Sequence, residues 1–330
     1  MRKVYRLQAI GGSYYIALPK EWLKRFGLGK GSHVEVVIED DGTLRIKPIE
    51  IQEEVQEELS KIEVEVQDRE TLFSLLITLY LRGYDIISLR FKGSAIASAI
   101  RDAVNRAKNI LLGFEIVDED SSSIVLQVLS SSDTEIHTLI KNMYRISRSM
   151  YLDSIVALIE RDAEKAYSVE ARDQDLNRLY FYITRVIRKK VVSGIVEPKE
   201  LLKLVDLRMV VKAIEEIGDD AKKVAKIVQE VILNDIEIDI NNAEKLKMYV
   251  DELDEIYRNI VNKIEKVVPL PELLESLYTC EKIRSGLHNF RKDLIEKDPK
   301  ALTLLSEAIY SYEDIATHVY DIISLISSSI

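Results

Sequence analysis

The sequence holds a single cysteine, Cys280, so no intrachain disulfide can form and nothing points to an oxidising compartment. No apolar run approaches the roughly 20 residues that a membrane span needs. Arg2, Lys3 and Arg6 near the start are followed by no apolar stretch of the kind a secretory leader carries. These absences lead to the expectation of a cytoplasmic protein with no membrane insertion. The four histidines, His33, His137, His288 and His318, lie far apart with neither metal-ligand nor catalytic spacing, so the chain is expected not to be an enzyme. A phosphate-cradling loop is missing too. Gly27-Leu28-Gly29-Lys30-Gly31-Ser32 superficially looks like one, but a Walker A loop leaves a strand and enters a helix, whereas this run leaves a helix and enters a strand.

What is present is a globular mixture, 47% hydrophobic and 31% charged over 330 residues, enough for two or three domains. The net charge of −10 is unevenly placed. Residues 1–30 carry seven basic side chains (Arg2, Lys3, Arg6, Lys20, Lys24, Arg25, Lys30) against the one acid Glu21, a net of +6 that leaves −16 on the remaining 300 residues. A basic head on an acidic body lets the head alone be drawn to phosphate groups.

The local patterns divide the chain at 1–50, 51–130 and 131–330, a multidomain α+β organisation. In 1–50, Val4–Ile10 and Tyr14–Leu18 read as strands around the turn Gly11-Gly12-Ser13. Pro19 opens a short helix at its first position, Lys20–Phe26, closed by Gly27. His33–Glu39 and Thr43–Pro48 pair as a hairpin around Asp41-Gly42. Such a short segment buries too little by itself, so two copies are expected to share a core. After a Glu-rich connector, 61–130 reads β-α-β-α-β-β, a small α/β sandwich in which Asp68 caps a helix from Arg69 to Leu81. From Ser131 onward apolar residues recur at spacings of three and four, as in Val210, Val211, Ile214, Ile217, Ala221, Val224 and Val228. The expectation is six long helices in two antiparallel sets of three, over 133–235 and 240–328.

Two helices of the first set carry the sharpest chemical signal. Asp173 and Asn177 are four apart, as are Glu215 and Asp219, so each pair projects from one helix face. Two such faces on neighbouring helices can surround a hard cation such as Mg²⁺, Mn²⁺ or Fe with oxygen ligands. The plainer alternative is a solvated acidic face. Gly218, in mid-helix, costs about 1 kcal/mol against alanine and marks close packing or a site. Cys280 reads as a small core residue, and Tyr180-Phe181-Tyr182 as packing rather than a platform for bases.

Ala213-Ile214-Glu215-Glu216-Ile217-Gly218-Asp219-Asp220-Ala221 resembles the signature of the PhoU family, with Glu170–Tyr180 resembling its upstream acidic motif. The resemblance covers roughly 133–328. It implies a six-helix bundle of two three-helix repeats whose acidic motifs hold metal (Mg, Mn, Zn or Fe), acting without catalysis as a regulator of phosphate uptake through a phosphate transporter component. Asn177 stands where the family usually has Asp, and in the second repeat only Glu313 of Ile309–Asp314 matches the acidic pattern. At most one metal cluster is therefore expected, in the first repeat, with an emptied site kept for packing as the alternative.

At the N-terminus, Gly12–Leu23 followed by Leu28-Gly29-Lys30-Gly31-Ser32-His33-Val34 resembles the AbrB/MazE-type (SpoVT-AbrB) swapped-hairpin domain over about 1–48. That resemblance implies an intertwined homodimer that binds DNA, with Lys20, Lys24 and Arg25 on a phosphate-contacting face flanked by Arg2, Lys3 and Arg6. The combination resembles archaeal PhoU-like regulators and implies a phosphate-responsive, DNA-binding transcriptional regulator. The alternative is an adaptor that binds no DNA and restrains a phosphate transporter by protein contact. The 51–130 segment offers no chemical motif and reads as a spacer or a small-ligand sensor.

Overall fold

The computed structural model describes residues 4–38, 42–48, 60–129, 135–193, 198–264, 266, 268–297 and 303–327. The chain forms two compact units, 1–58 and 59–330.

In the first unit, β1 (Gln8–Ile10) and β2 (Ser13–Tyr15) form an antiparallel hairpin. Its turn residues Gly11 and Gly12 both have positive φ, 56° and 83°, the combination a two-residue turn requires. Both strands are shorter than their sequence patterns, which extend to Val4 on one side and Leu18 on the other. Helix α1 (Lys20–Arg25) follows, with Pro19 one position earlier than expected, at the cap. The helix is closed by Gly27 at φ 62°, with Leu28 N donating to Leu23 O and Gly27 N to Lys24 O. Strands β3 (Val34–Ile38) and β4 (Leu44–Pro48) pair antiparallel; Asp41 of the expected turn lies outside the described residues. No described residue of this unit is buried. Val4, Leu7, Ile10, Tyr14, Ile16, Val36, Ile38 and Leu44 all remain exposed.

The second unit contains two cores. The smaller one lies between a four-stranded sheet and two helices, in the expected β-α-β-α-β-β order: β5 (Lys61–Glu65), α2 (Leu72–Leu81), β6 (Ile86–Arg90), α3 (Ser94–Ile110), β7 (Phe114–Glu119), β8 (Ser123–Val128). The strand order is β5-β6-β8-β7, with β5 parallel to β6 and the other pairs antiparallel. Alternation fixes the buried face, as β8 shows by burying Ile124, Leu126 and Val128. Helix α2 starts three residues later than the sequence implies, with Thr71 at its cap. Asp68 instead holds the preceding turn, accepting from Glu70 N at 3.1 Å and Thr71 Oγ1 at 3.0 Å.

The larger core runs through six helices: α4 (Ile136–Glu160), α5 (Ala163–Ser193), α6 (Pro198–Leu233), α7 (Ile240–Val261), α8 (Leu270–Lys297) and α9 (Thr303–Ser327). They fall into the two expected sets of three, yet the core is continuous across both because α6 packs along α9 and α4 along α7. A polar latch crosses the second of these interfaces. Asp254 takes a bidentate pair from Arg148, both bonds at 2.7 Å, and a hydrogen bond from Tyr151 at 2.5 Å.

The sheet layer rides on α5. Phe181 packs into its core, and the buried Arg185 reaches Asp85 at 2.6 Å and Tyr80 O at 2.6 Å. Lys189 joins Asp85 at 3.0 Å, and Ser60 N donates to the second oxygen of the same carboxylate at 3.0 Å.

Candidate functional site

Helices α5 and α6 approach closely because Gly218 leaves room: a Cβ there would lie 2.1 Å from Leu176 Cδ2. That contact sets the faces carrying Asp173 and Asn177 on α5 against those carrying Glu215 and Asp219 on α6. All four residues come together. Asp173 and Glu215 are buried, Asn177 and Asp219 half-buried. Asn177 Nδ2 donates to Asp173 Oδ2 at 3.1 Å. The Asp219 carboxyl is raised to about 6, first by burial, then by the charges of Glu215 and Asp173 and a hydrogen bond with Asp173, against the pull of Lys222.

Two lysines complete the arrangement. Lys222 Nζ donates to Asp173 Oδ2 at 2.5 Å. Lys212 Nζ lies 2.6 Å from Glu215 Oε2 and 3.3 Å from Glu216 Oε1. Oxygen-ligated cations need several lone pairs converging on one point. Here one oxygen of Asp173 already takes two donors, Glu215 takes one, and Asn177 turns its NH₂ toward the cluster. Among the described residues, no group of three or more His, Cys, Asp or Glu is placed to hold a metal ion.

Further polar contacts join α6 and α8 to α9, and the wide spacing of the histidines in sequence gave no sign of them. His318 Nε2 lies 3.3 Å from Asp220 Oδ2 and its Nδ1 3.4 Å from Glu216 Oε2. Asp220 is buried; its Oδ1 accepts from Lys223 at 2.7 Å, while Oδ2 accepts no hydrogen bond. Burial pulls the imidazole of His318 down, but the close approach and charge of Asp220, with the charges of Glu216 and Asp314, outweigh it and raise its pKa. On the other side of α9, Glu313 takes His288 Nδ1 and Arg291 Nε, both at 2.8 Å. The one acid of the second repeat that matches the family pattern is thus occupied by an imidazole and a guanidinium.

In the first unit, Lys20, Lys24 and Arg25 lie exposed on α1, with Lys20 and Lys24 four apart on one face, and Trp22 and Leu23 half-buried on another. Arg6 is exposed ahead of β1. Arg2 and Lys3 lie outside the described residues. Cys280 is in the core as expected, its Sγ 3.2 Å from Ala316 O. Tyr182 is buried, and Tyr180 packs edge-on to Phe181 beneath the Arg208 guanidinium.

Comparison with known proteins follows the same division. The PhoU domain model matches residues 140–228, from α4 through most of α6, a span that contains all four residues of the acidic cluster. A second model, antidote-toxin recognition MazE of bacterial antitoxins, matches residues 7–52. No curated protein matches the chain in sequence. Among solved structures, the crystal structure of PhoU from Pseudomonas aeruginosa superposes with a TM-score of 0.51 at 17% identity, covering 59% of this chain and 94% of that one. Residues 140–228 are thus similar to the PhoU domain within a helical bundle of PhoU fold, and residues 7–52 are similar to the MazE antitoxin.

Proposed function

We propose that the protein is a phosphate-responsive regulator of phosphate uptake that acts in the cytoplasm as a homodimer and binds DNA through its N-terminal unit. The PhoU domain supports the regulatory half of this reading, and with it action by binding rather than catalysis. The observation that carries the DNA-binding half is the state of residues 4–48. None of that unit's described residues is buried, Val4, Leu7, Ile10, Tyr14, Ile16, Val36, Ile38 and Leu44 stand exposed, and α1 presents Lys20, Lys24 and Arg25 together. A second copy supplies the missing core, which brings two basic helices into one particle, as a two-fold contact to duplex DNA requires. No helix among the described residues is long and apolar enough to cross a membrane.

Fluorescence anisotropy with the protein's own upstream region and a scrambled duplex, across a salt series, tests this. The expected result is sequence-preferring binding that falls steeply with salt, each phosphate contact contributing about −0.9 to the log–log slope. The Lys20→Ala/Lys24→Ala/Arg25→Ala variant should lose it. Weak binding, equal on both duplexes and indifferent to these substitutions, sinks the DNA-binding reading and leaves an adaptor that acts by protein contact.

A further inference from the structure

Resemblance to the PhoU signature predicts a metal among Asp173, Asn177, Glu215 and Asp219, and the side chains around these residues argue for something else. Lys222 stands three residues after Asp219 on α6, and Lys212 three before Glu215, so both ammonium groups reach the cluster from the helix that bears two of its three acids. Lys222 bridges the two helices, with its Nζ 2.5 Å from Asp173 Oδ2 on α5. Asn177 directs its amide to that same oxygen at 3.1 Å. Lys212 holds Glu215 at 2.6 Å. Both ammonium groups are partly withdrawn from solvent, with side-chain exposures of 30% for Lys222 and 41% for Lys212, and the carboxylates they meet are nearly enclosed, at 8% and 11%.

We propose that this acidic site is closed by its own lysines: Lys222, supported by Lys212, is the resident cation that joins α5 to α6 and excludes divalent metal ions from the site. A tethered ammonium neutralises the buried carboxylates without capturing an ion from solution. A divalent ion entering beside it meets like charge at a few ångströms in a partly desolvated setting, where Coulomb terms are several times larger than in water. The proposal does not depend on DNA binding or on the phosphate response. The α5–α6 pairing is then independent of metal supply, and Lys222 is the main side chain that keeps a metal ion from this site.

Mn²⁺ titration of the full-length protein, read by electron paramagnetic resonance and by calorimetry, tests it with four proteins: wild type, Asp219→Asn, Lys222→Met and Lys222→Met/Asp219→Asn. Wild type and Asp219→Asn should bind Mn²⁺ alike, because neither uses this site. Lys222→Met should gain one Mn²⁺ at an affinity about tenfold or more above any wild-type binding, and the double variant should lose it again. Lys222→Gln, which keeps the stem and a donor, replaces Lys222→Met should that variant fail to fold. Wild-type Mn²⁺ binding that Asp219→Asn abolishes overturns the proposal. So does a failure of both Lys222 variants to bind more Mn²⁺ than wild type.

Discussion

Asp85→Asn removes the only carboxylate among the described residues that the Arg185 guanidinium reaches within hydrogen-bond distance, and Arg185 is among the most enclosed large side chains described, at 1% exposure. Burial already pulls this guanidinium below its ordinary value, with Asp85 the first of the groups that counter it. With the carboxylate gone, the charge keeps Tyr80 O at 2.6 Å, the Tyr80 ring at 5.0 Å and at best the neutral amide oxygen of the new Asn. Breaking one side of a buried ion pair costs about 3–5 kcal/mol, because a buried charge is left uncompensated. Asn has one acceptor oxygen where Asp85 had two, so either the Ser60 N bond or the Arg185 bond is lost as well, adding about 1 kcal/mol. Replacing both partners by apolar residues of similar shape, Asp85→Leu/Arg185→Met, removes the charge penalty and should cost only about 1–2 kcal/mol. For a unit of this size the single variant should melt on the order of 10 °C lower than wild type, and the double variant only a few degrees lower. Urea unfolding and calorimetry of wild type, Asp85→Leu, Arg185→Met and Asp85→Leu/Arg185→Met measure the coupling directly, with Asp85→Asn alongside. If Asp85→Asn proves no more damaging than the double variant, then the Asp85–Arg185 pair is not what seats the sheet layer on α5.

Two further outcomes are expected. The pKa of His318 is raised in the folded state, so its pairing with Asp220 and Glu216 contributes fully below the ordinary histidine value of about 6.5 and fades as pH rises through the folded-state pKa. Wild type should therefore melt about 2–4 °C above His318→Gln at pH 6 and converge with it in mildly alkaline buffer; a gap that widens with pH would contradict the assigned pairing. Burial pushes the Cys280 thiol up to about 12, so native protein should react with a thiol reagent only after unfolding, at a rate that follows global stability. Rapid stoichiometric labelling under native conditions would show that the α8–α9 packing around Cys280 is open.

Much of the fold was legible because its signals are local. Period-three-and-four apolar spacing announced all six long helices, and alternation announced the sheet, since a helix or strand needs one continuous face buried wherever its partner comes from. The i, i+4 pairs Asp173/Asn177 and Glu215/Asp219 were visible for the same reason, and the helical Gly218 marked the close approach of α5 and α6. Strand ends were less legible. Val4–Leu7 alternates like a strand, yet the first strand begins only at Gln8.

The sequence by itself determined that there is a basic head on an acidic body, a small β module without a core of its own, an α/β layer and a six-helix bundle with an acidic cluster in its first repeat. Tertiary structure alone decided what those acids meet. Asp173 meets Lys222 across 49 positions, Asp85 meets Arg185 across 100, and the widely separated His318 and Asp220 face each other at 3.3 Å. Periodicity says which face of a helix is polar. It cannot say which other polar face is laid against it, because that choice is made by the packing of the apolar sides, where the burial energy lies.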